Sequence, residues 1–97
     1  MRFLQLSDFA TRLSEAFSVD IENQDTVFTL VEAVPLPQHP LPGAMREPFS
    51  LVFHNEAAIV FPQRIYAMKH PVMGEFGIFL VPVARDREGF LYQAVFN

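Results

Sequence analysis

Three histidines, His39, His54 and His70, are the side chains best suited to holding a metal or moving a proton, and they stand fifteen and sixteen residues apart. Imidazole and carboxylate both bind zinc, but this spacing matches no ligand motif, and each histidine lies beside a proline-rich stretch or a turn. His54-Asn55-Glu56 reproduces the H-x-E half of a zinc deaminase site, whose other half is Pro-Cys-x-x-Cys. The chain has no cysteine. That removes the deaminase site together with Cys-based zinc centres, thiolate nucleophiles and disulfides. A Ser-His-Asp hydrolase needs its serine on a strained elbow flanked by glycine, and no serine here has a glycine neighbour. Glu75 and Glu88 flank the closing hairpin, and Glu22 and Glu32 fall on separate strands, so no carboxylate pair for glycoside chemistry emerges. Gly43, Gly74, Gly77 and Gly89 are too scattered to cradle a phosphate. The expectation is a protein that is not an enzyme, with no metal and no cofactor. Only a meeting of two distant titratable groups in one pocket, such as His54 with Glu75, would reopen the question.

Polar residues inside otherwise apolar stretches carry more information. Gln63 precedes Arg64-Ile65-Tyr66, Gln93 interrupts the last apolar run, and Arg46 stands just before Pro48. A buried polar group without a partner costs about 1–3 kcal/mol, so each must be satisfied. Arg46, Gln63 and Asn97 either tie a loop to the sheet or, with Tyr66, line a binding groove.

These groups have to be positioned by a small framework. Ninety-seven residues predict a single domain, 1–97. A domain of that length buries about 60–70% of its unfolded surface. Yet 51% of the residues are hydrophobic and eleven are Phe. Either some of that material lies in an interface, or a small barrel is very tightly filled. Net charge is -4, with no basic run, which argues against nucleic acid, because phosphate binding depends on Lys and Arg. No apolar stretch reaches the ~20 residues of a spanning helix without polar interruption or proline, and the N-terminal one is too short for a signal-peptide core. A soluble, cytoplasmic protein with no membrane partner is expected.

Ser7 reads as a helix N-cap, and Phe9, Leu13 and Ala16 or Phe17 recur at helical spacing, predicting a helix over 8–16. Strands follow at 17–22, 26–34, 49–54 and 63–69, each alternating or rich in β-branched and aromatic residues. Asn23-Gln24-Asp25 reads as the first turn. The stretch 35–48 contains Pro35, Pro37, Pro40, Pro42 and Pro48. It cannot be a central strand, and reads as a stiff crossover between two sheet halves. The fold class is mainly β (α+β): about six antiparallel strands in a meander, as an open sandwich or a partly closed barrel, with one short N-terminal helix over one end.

The closing hairpin turns at Asp86-Arg87-Glu88-Gly89. A three-residue loop there sets Ala84 opposite Tyr92, Pro82 opposite Ala94 and Leu80 opposite Phe96. The other face carries Phe79, Val81, Val83, Leu91 and Val95, so the ribbon is apolar on both sides and one side needs a partner surface.

Several motifs resemble those of a family of small uncharacterised bacterial proteins: Arg46-Glu47-Pro48-Phe49-Ser50-Leu51-Val52-Phe53, Pro62-Gln63-Arg64-Ile65-Tyr66, Phe79-Leu80-Val81-Pro82-Val83 and Tyr92-Gln93-Ala94-Val95-Phe96-Asn97. The resemblance spans the chain and is best after Arg46. It implies a chain encoded beside phage-tail-collar-like proteins, accompanying or assembling a tail-like particle, and it brings no catalytic residues. The functional expectation is a non-catalytic interaction or assembly protein. Its surface would be Phe79, Val81, Val83 and Val95, with Gln38 and His39 at the rim, and its partner another protein chain or a second copy that pairs with exposed strand edges. The alternative is a barrel enclosing a small apolar ligand, oriented by Arg46, Gln63 and Tyr66.

Overall fold

Phe17 and Val19, Phe28 and Leu30, Leu51 and Phe53, Ile78 and Leu80 occupy alternate positions on four stretches of chain, and each of these side chains is buried. Alternation sends such a set to one side of a sheet. A sheet curled around that side covers it completely. The computed structural model, which describes residues 4–37 and 47–97, shows this arrangement. After helix α1 (Leu6–Ala10) come strands β1 (Ala16–Ile21), β2 (Gln24–Pro35), β3 (Phe49–Asn55), β4 (Arg64–His70), β5 (Gly74–Asp86) and β6 (Gly89–Phe96). They form a closed antiparallel barrel in the order β1-β2-β3-β6-β5-β4. The fold is therefore mainly β with one short helix, and of the forms open to the sequence it takes the barrel.

Two three-stranded meanders, β1-β2-β3 and β4-β5-β6, are joined along two seams of different length. The β3–β6 seam runs through seven residue pairs, from Phe49↔Phe96 to Asn55↔Phe90. The β1–β4 seam has only Ser18↔Lys69 and Val19↔Met68. Beyond Val19 the two strands separate, so the edge of β4 over 64–67 has no ladder on that side.

Aromatic rings fill the interior and close both ends. Phe9 of α1 packs on Phe17, Phe49, Phe76 and Phe96 at centroid distances of 5.8–6.2 Å. Phe49 and Phe96 stack at 4.6 Å. At the opposite end Phe61, on the β3–β4 connection, meets Phe28 and Tyr92, and its backbone N–H donates to the Tyr92 hydroxyl at 2.9 Å. Each fully buried Phe contributes about 1.5–3 kcal/mol of apolar burial.

The structure corrects several local expectations. The helix ends at Ala10, not near residue 16, and Gln5 caps it in place of Ser7; the Asp8 carboxylate accepts the Gln5 N–H at 2.8 Å. Ala16 and Phe17 are taken by the β1 ladder, opposite Thr29 and Phe28. Their place in the sheet overrides the helical spacing, and it leaves Leu13 exposed. The first turn is Glu22-Asn23, both with positive φ (53 and 67). That pair fits the type I′ turn, whose twist matches the strands, and it places Gln24 and Asp25 in β2. The proline-rich stretch joins neighbours, since Pro35 pairs with Phe49 and Leu36 N–H donates to Pro48 O at 3.0 Å. It is a long hairpin connection and not a crossover. In the closing hairpin Asp86 pairs with Gly89, leaving a two-residue loop, and a bulge falls between Pro82 and Ala84. Ala84 therefore faces Leu91, and Pro82 faces Tyr92. Gly89 (φ 147) has no substitute, because a Cβ would stand 1.9 Å from the Asn55 carbonyl oxygen.

Candidate interaction surface

Strand alternation decides which side chains leave the barrel. With Tyr66 and Met68, Ile78 and Leu80, Tyr92 and Ala94, Leu51 and Phe53 all inside, the intervening residues of the same strands point out. The register then lays them side by side. Ile65 on β4 lies opposite Phe79 on β5. Val81 lies opposite Gln93 on β6, where the β5–β6 ladder ends, and Val95 continues β6 two residues beyond it. Val95 faces Ser50 on β3, and Gln93 faces Val52. Ala67 and Gly77 extend the same face by one row.

The result is a four-strand outer wall, β4-β5-β6-β3, without a charged residue in its middle. Lys69 and Glu75, paired across β4 and β5, mark one end, and Arg85 and Asp86 mark the other. Outward positions on β1 and β2 mix charge with apolar side chains: Asp20 lies directly opposite Asp25, Glu32 lies opposite Val52 of β3, and Val27 is 54% exposed. On the wall Ile65 is 72% exposed, Phe79 48%, Val83 51% and Val95 47%, while Val81 is half-buried. Its polar groups are Ser50 and Gln93, and the Gln93 amide donates to the Ser50 hydroxyl at 3.3 Å. Ser50 is nearly buried beneath its neighbours.

The register thus pairs Phe79 with Ile65, Val81 with Gln93 and Val95 with Ser50, with Val83 at the bulge. Ile65, Val52 and the Ser50–Gln93 pair also belong to this surface, and sequence reasoning did not assign them to it. Uncharged outward positions on β4 and β6 could have flagged them, but only the register shows that they adjoin. Gln38 and His39, expected at the rim, and Arg46 lie outside the described residues. Closure pairs both edges of β3, while β5 pairs with β4 over 74–80 and with β6 over 81–86, and β4 keeps an unladdered edge over 64–67.

Of the expected polar cluster, Tyr66, Gln63 and Asn97 are among the described residues. Tyr66 is buried, and its hydroxyl donates to the Pro62 carbonyl. Burial raises its pKa, and the Arg64 guanidinium, 5.0 Å above the ring, partly offsets that. Gln63 is exposed just before β4, whose first residue pairs with Leu80. Asn97 follows the end of β6, four positions beyond Gln93, so the two sit at different levels of the wall.

Both described histidines have partners. His70 Nε2 lies 2.7 Å from Glu15 Oε1, and its Nδ1 accepts the N–H groups of Val72 and Met73 at 3.1 and 3.3 Å. The proton is therefore on Nε2, and the ring ties the β4–β5 turn to the start of β1. His54 Nε2 lies 3.2 Å from Asp86 Oδ1. The Glu88 N–H, and next the His54 contact, hold the Asp86 carboxyl below its usual range. Glu75 sits at the far end of β5, opposite Lys69, and does not meet His54. A groove of about 430 Å³ beside His54, lined by Asp25, Thr26, Val27 and Glu56 among others, opens to solvent. No group of three potential metal ligands occurs among the described residues, and no helix there is long and apolar enough to cross a membrane.

Residues 4–96 match the family described as Domain of unknown function (DUF6916), and the chain belongs to that family. No curated protein and no solved structure matches it.

Proposed function

We propose that this family member is a non-catalytic interaction protein that works through the outer wall of β4-β5-β6-β3 in the assembly of a larger particle, of the phage-tail-like kind that its sequence resemblance implies. The observation carrying the reading is the charge-free wall, with Ile65 paired with Phe79 on β4 and β5 and Val95 on β6, all exposed. Monomeric proteins seldom leave such a contiguous apolar face in water without a use for it. The packed interior favours this reading over an enclosed apolar ligand, since six strands leave room inside for side chains and little else. A cytoplasmic site of action belongs to the proposal, in keeping with the Cys-free composition.

Affinity capture from the native host, read by mass spectrometry, tests the proposal. Wild type and Arg87→Ala, altered in the exposed β5–β6 loop, retain the same specific partner, and Val95→Asp loses it. Identical captured sets from all three proteins would reject the wall as the working surface.

A further inference from the structure

We infer that His70 makes the β4–β5 turn a pH-sensitive clasp, closed while the imidazole is neutral and opened when the ring gains a second proton. The device is independent of the outer wall. The two ring nitrogens have different tasks. Nδ1 accepts the N–H groups of Val72 and Met73 at 3.1 and 3.3 Å, and Nε2–H donates to Glu15 Oε1 at 2.7 Å. The side chain is 5% exposed, too little for water to take over a lost contact. A proton on Nδ1 turns that acceptor into a donor facing two donors, so both turn amides lose their partner, and a buried donor left without one is costly. The Glu15 contact survives the same event, because a carboxylate accepts from the neutral ring and from the imidazolium alike. Protonation therefore acts on one side of the ring only. Residues 71–73 come away, and the tie to the start of β1 stays.

The neighbouring groups confine the response to that turn. Phe17 of β1 lies against the imidazole at a centroid distance of 4.7 Å and carries no charge. Behind Glu15 stands Arg12, 3.7 Å from the same carboxylate oxygen, and a guanidinium keeps its charge throughout. On β4 and β5 the adjacent charged groups are Lys69 and Glu75, paired across the strands next to His70↔Gly74; both are exposed. The anchor under the ring is firm, since Glu15 N–H donates to Arg12 O at 3.1 Å and Glu15 O accepts the Leu30 N–H at 3.1 Å. What the clasp holds is Met73, packed against the core, while Val72 beside it is 73% exposed. Opening in acid thus draws an apolar side chain out of the barrel end and leaves the β4–β5 ladder in place.

Amide exchange and imidazole resonances of the full chain, followed together by NMR from pH 8 to pH 5, test the inference over the range in which histidines ordinarily gain charge. With intrinsic exchange rates corrected, protection of the Val72 and Met73 amides falls about 10-fold or more in step with protonation of the His70 ring, and the Leu30 amide keeps its protection. His70→Gln, uncharged at every pH, abolishes the pH dependence of the turn whatever the stability of that turn. His54→Gln, altered at the histidine that faces Asp86, retains it. Turn amides equally protected at pH 8 and pH 5, loss of protection shared by Leu30, or the same loss in His70→Gln overturns the inference.

Discussion

Asp86 accepts the Glu88 N–H at 2.8 Å on the same oxygen that faces His54. Both contacts favour the charged carboxylate, so its folded pKa lies below its unfolded value. For a depressed carboxylate the sign is definite. Its contribution to stability is complete above the ordinary range near 3.8 and fades as pH falls through the lower folded value. Urea melts from pH 7 to pH 2 should therefore show a shallower acid-side loss of stability for Asp86→Asn than for wild type; superimposable slopes would show that the loop does not hold the carboxylate in solution. Gly89, three residues on, carries a larger burden. A methyl group there meets the Asn55 backbone at 1.9 Å, and backbone cannot move aside as a flexible side chain can. Gly89→Ala should cost about 3 kcal/mol in denaturant unfolding, the sum of overpacking and an unfavourable φ. A change under about 0.5 kcal/mol, ordinary for an exposed surface site, would show that the turn relaxes freely. The turn residues of this loop were legible in the sequence. The contact with β3 that makes glycine obligatory was not, because it joins residues thirty-four positions apart.

Between elements, the weakest join is the β1–β4 seam. Two residue pairs close it, while β3 and β6 pair along the whole length of β3. In an antiparallel strand, alternate residues direct both N–H and C=O to the same side, so two of the four residues over 64–67 face the side without a ladder. Amide exchange followed by mass spectrometry should show those amides exchanging about 100-fold or more faster than the amides of β3, whose protection approaches that of global unfolding. Equal protection along β3 and β4 would mean that the seam is tighter than its pairing indicates. The helix teaches a related lesson. Phe9, Leu13 and Phe17 are spaced for one helical face, but Phe17 belongs to the barrel and Leu13 to solvent. Local periodicity is a weak signal where a strand has better use for the same residues. The Val83 bulge moved the hairpin pairing in the same way, and nothing in the local sequence announced the extra residue.

At the scale of the whole molecule, the barrel has two unlike sides. One presents Asp20 opposite Asp25 beside exposed Val27, and the other presents Ile65, Phe79 and Val95, with Glu32 at its border opposite Val52. The proposal that the outer wall is the working surface separates two Val→Asp substitutions: in host capture Val95→Asp should lose the specific partner, and Val27→Asp, on exposed β2 surface, should keep it. Fold stability should be nearly alike in the two variants, because both positions are about half exposed; a shift in the unfolding midpoint of Val95→Asp alone would show that the wall is held in place by the fold and not by a second body.

Alternation of Phe, Leu and Val with polar residues determined by itself that this chain makes antiparallel strands around an aromatic core, and that its last ribbon is apolar on both faces. Missing cysteine and scattered glycines likewise settled which familiar sites it lacks. Which outward residues adjoin was decided only by tertiary structure. Ile65 meets Phe79 and Ser50 meets Val95 across strand pairs, and these neighbourhoods depend on register and closure. Register is set by turn length and bulges, and closure by strands distant in sequence finding a common interior to bury, so neither is written in the periodicity of any one segment.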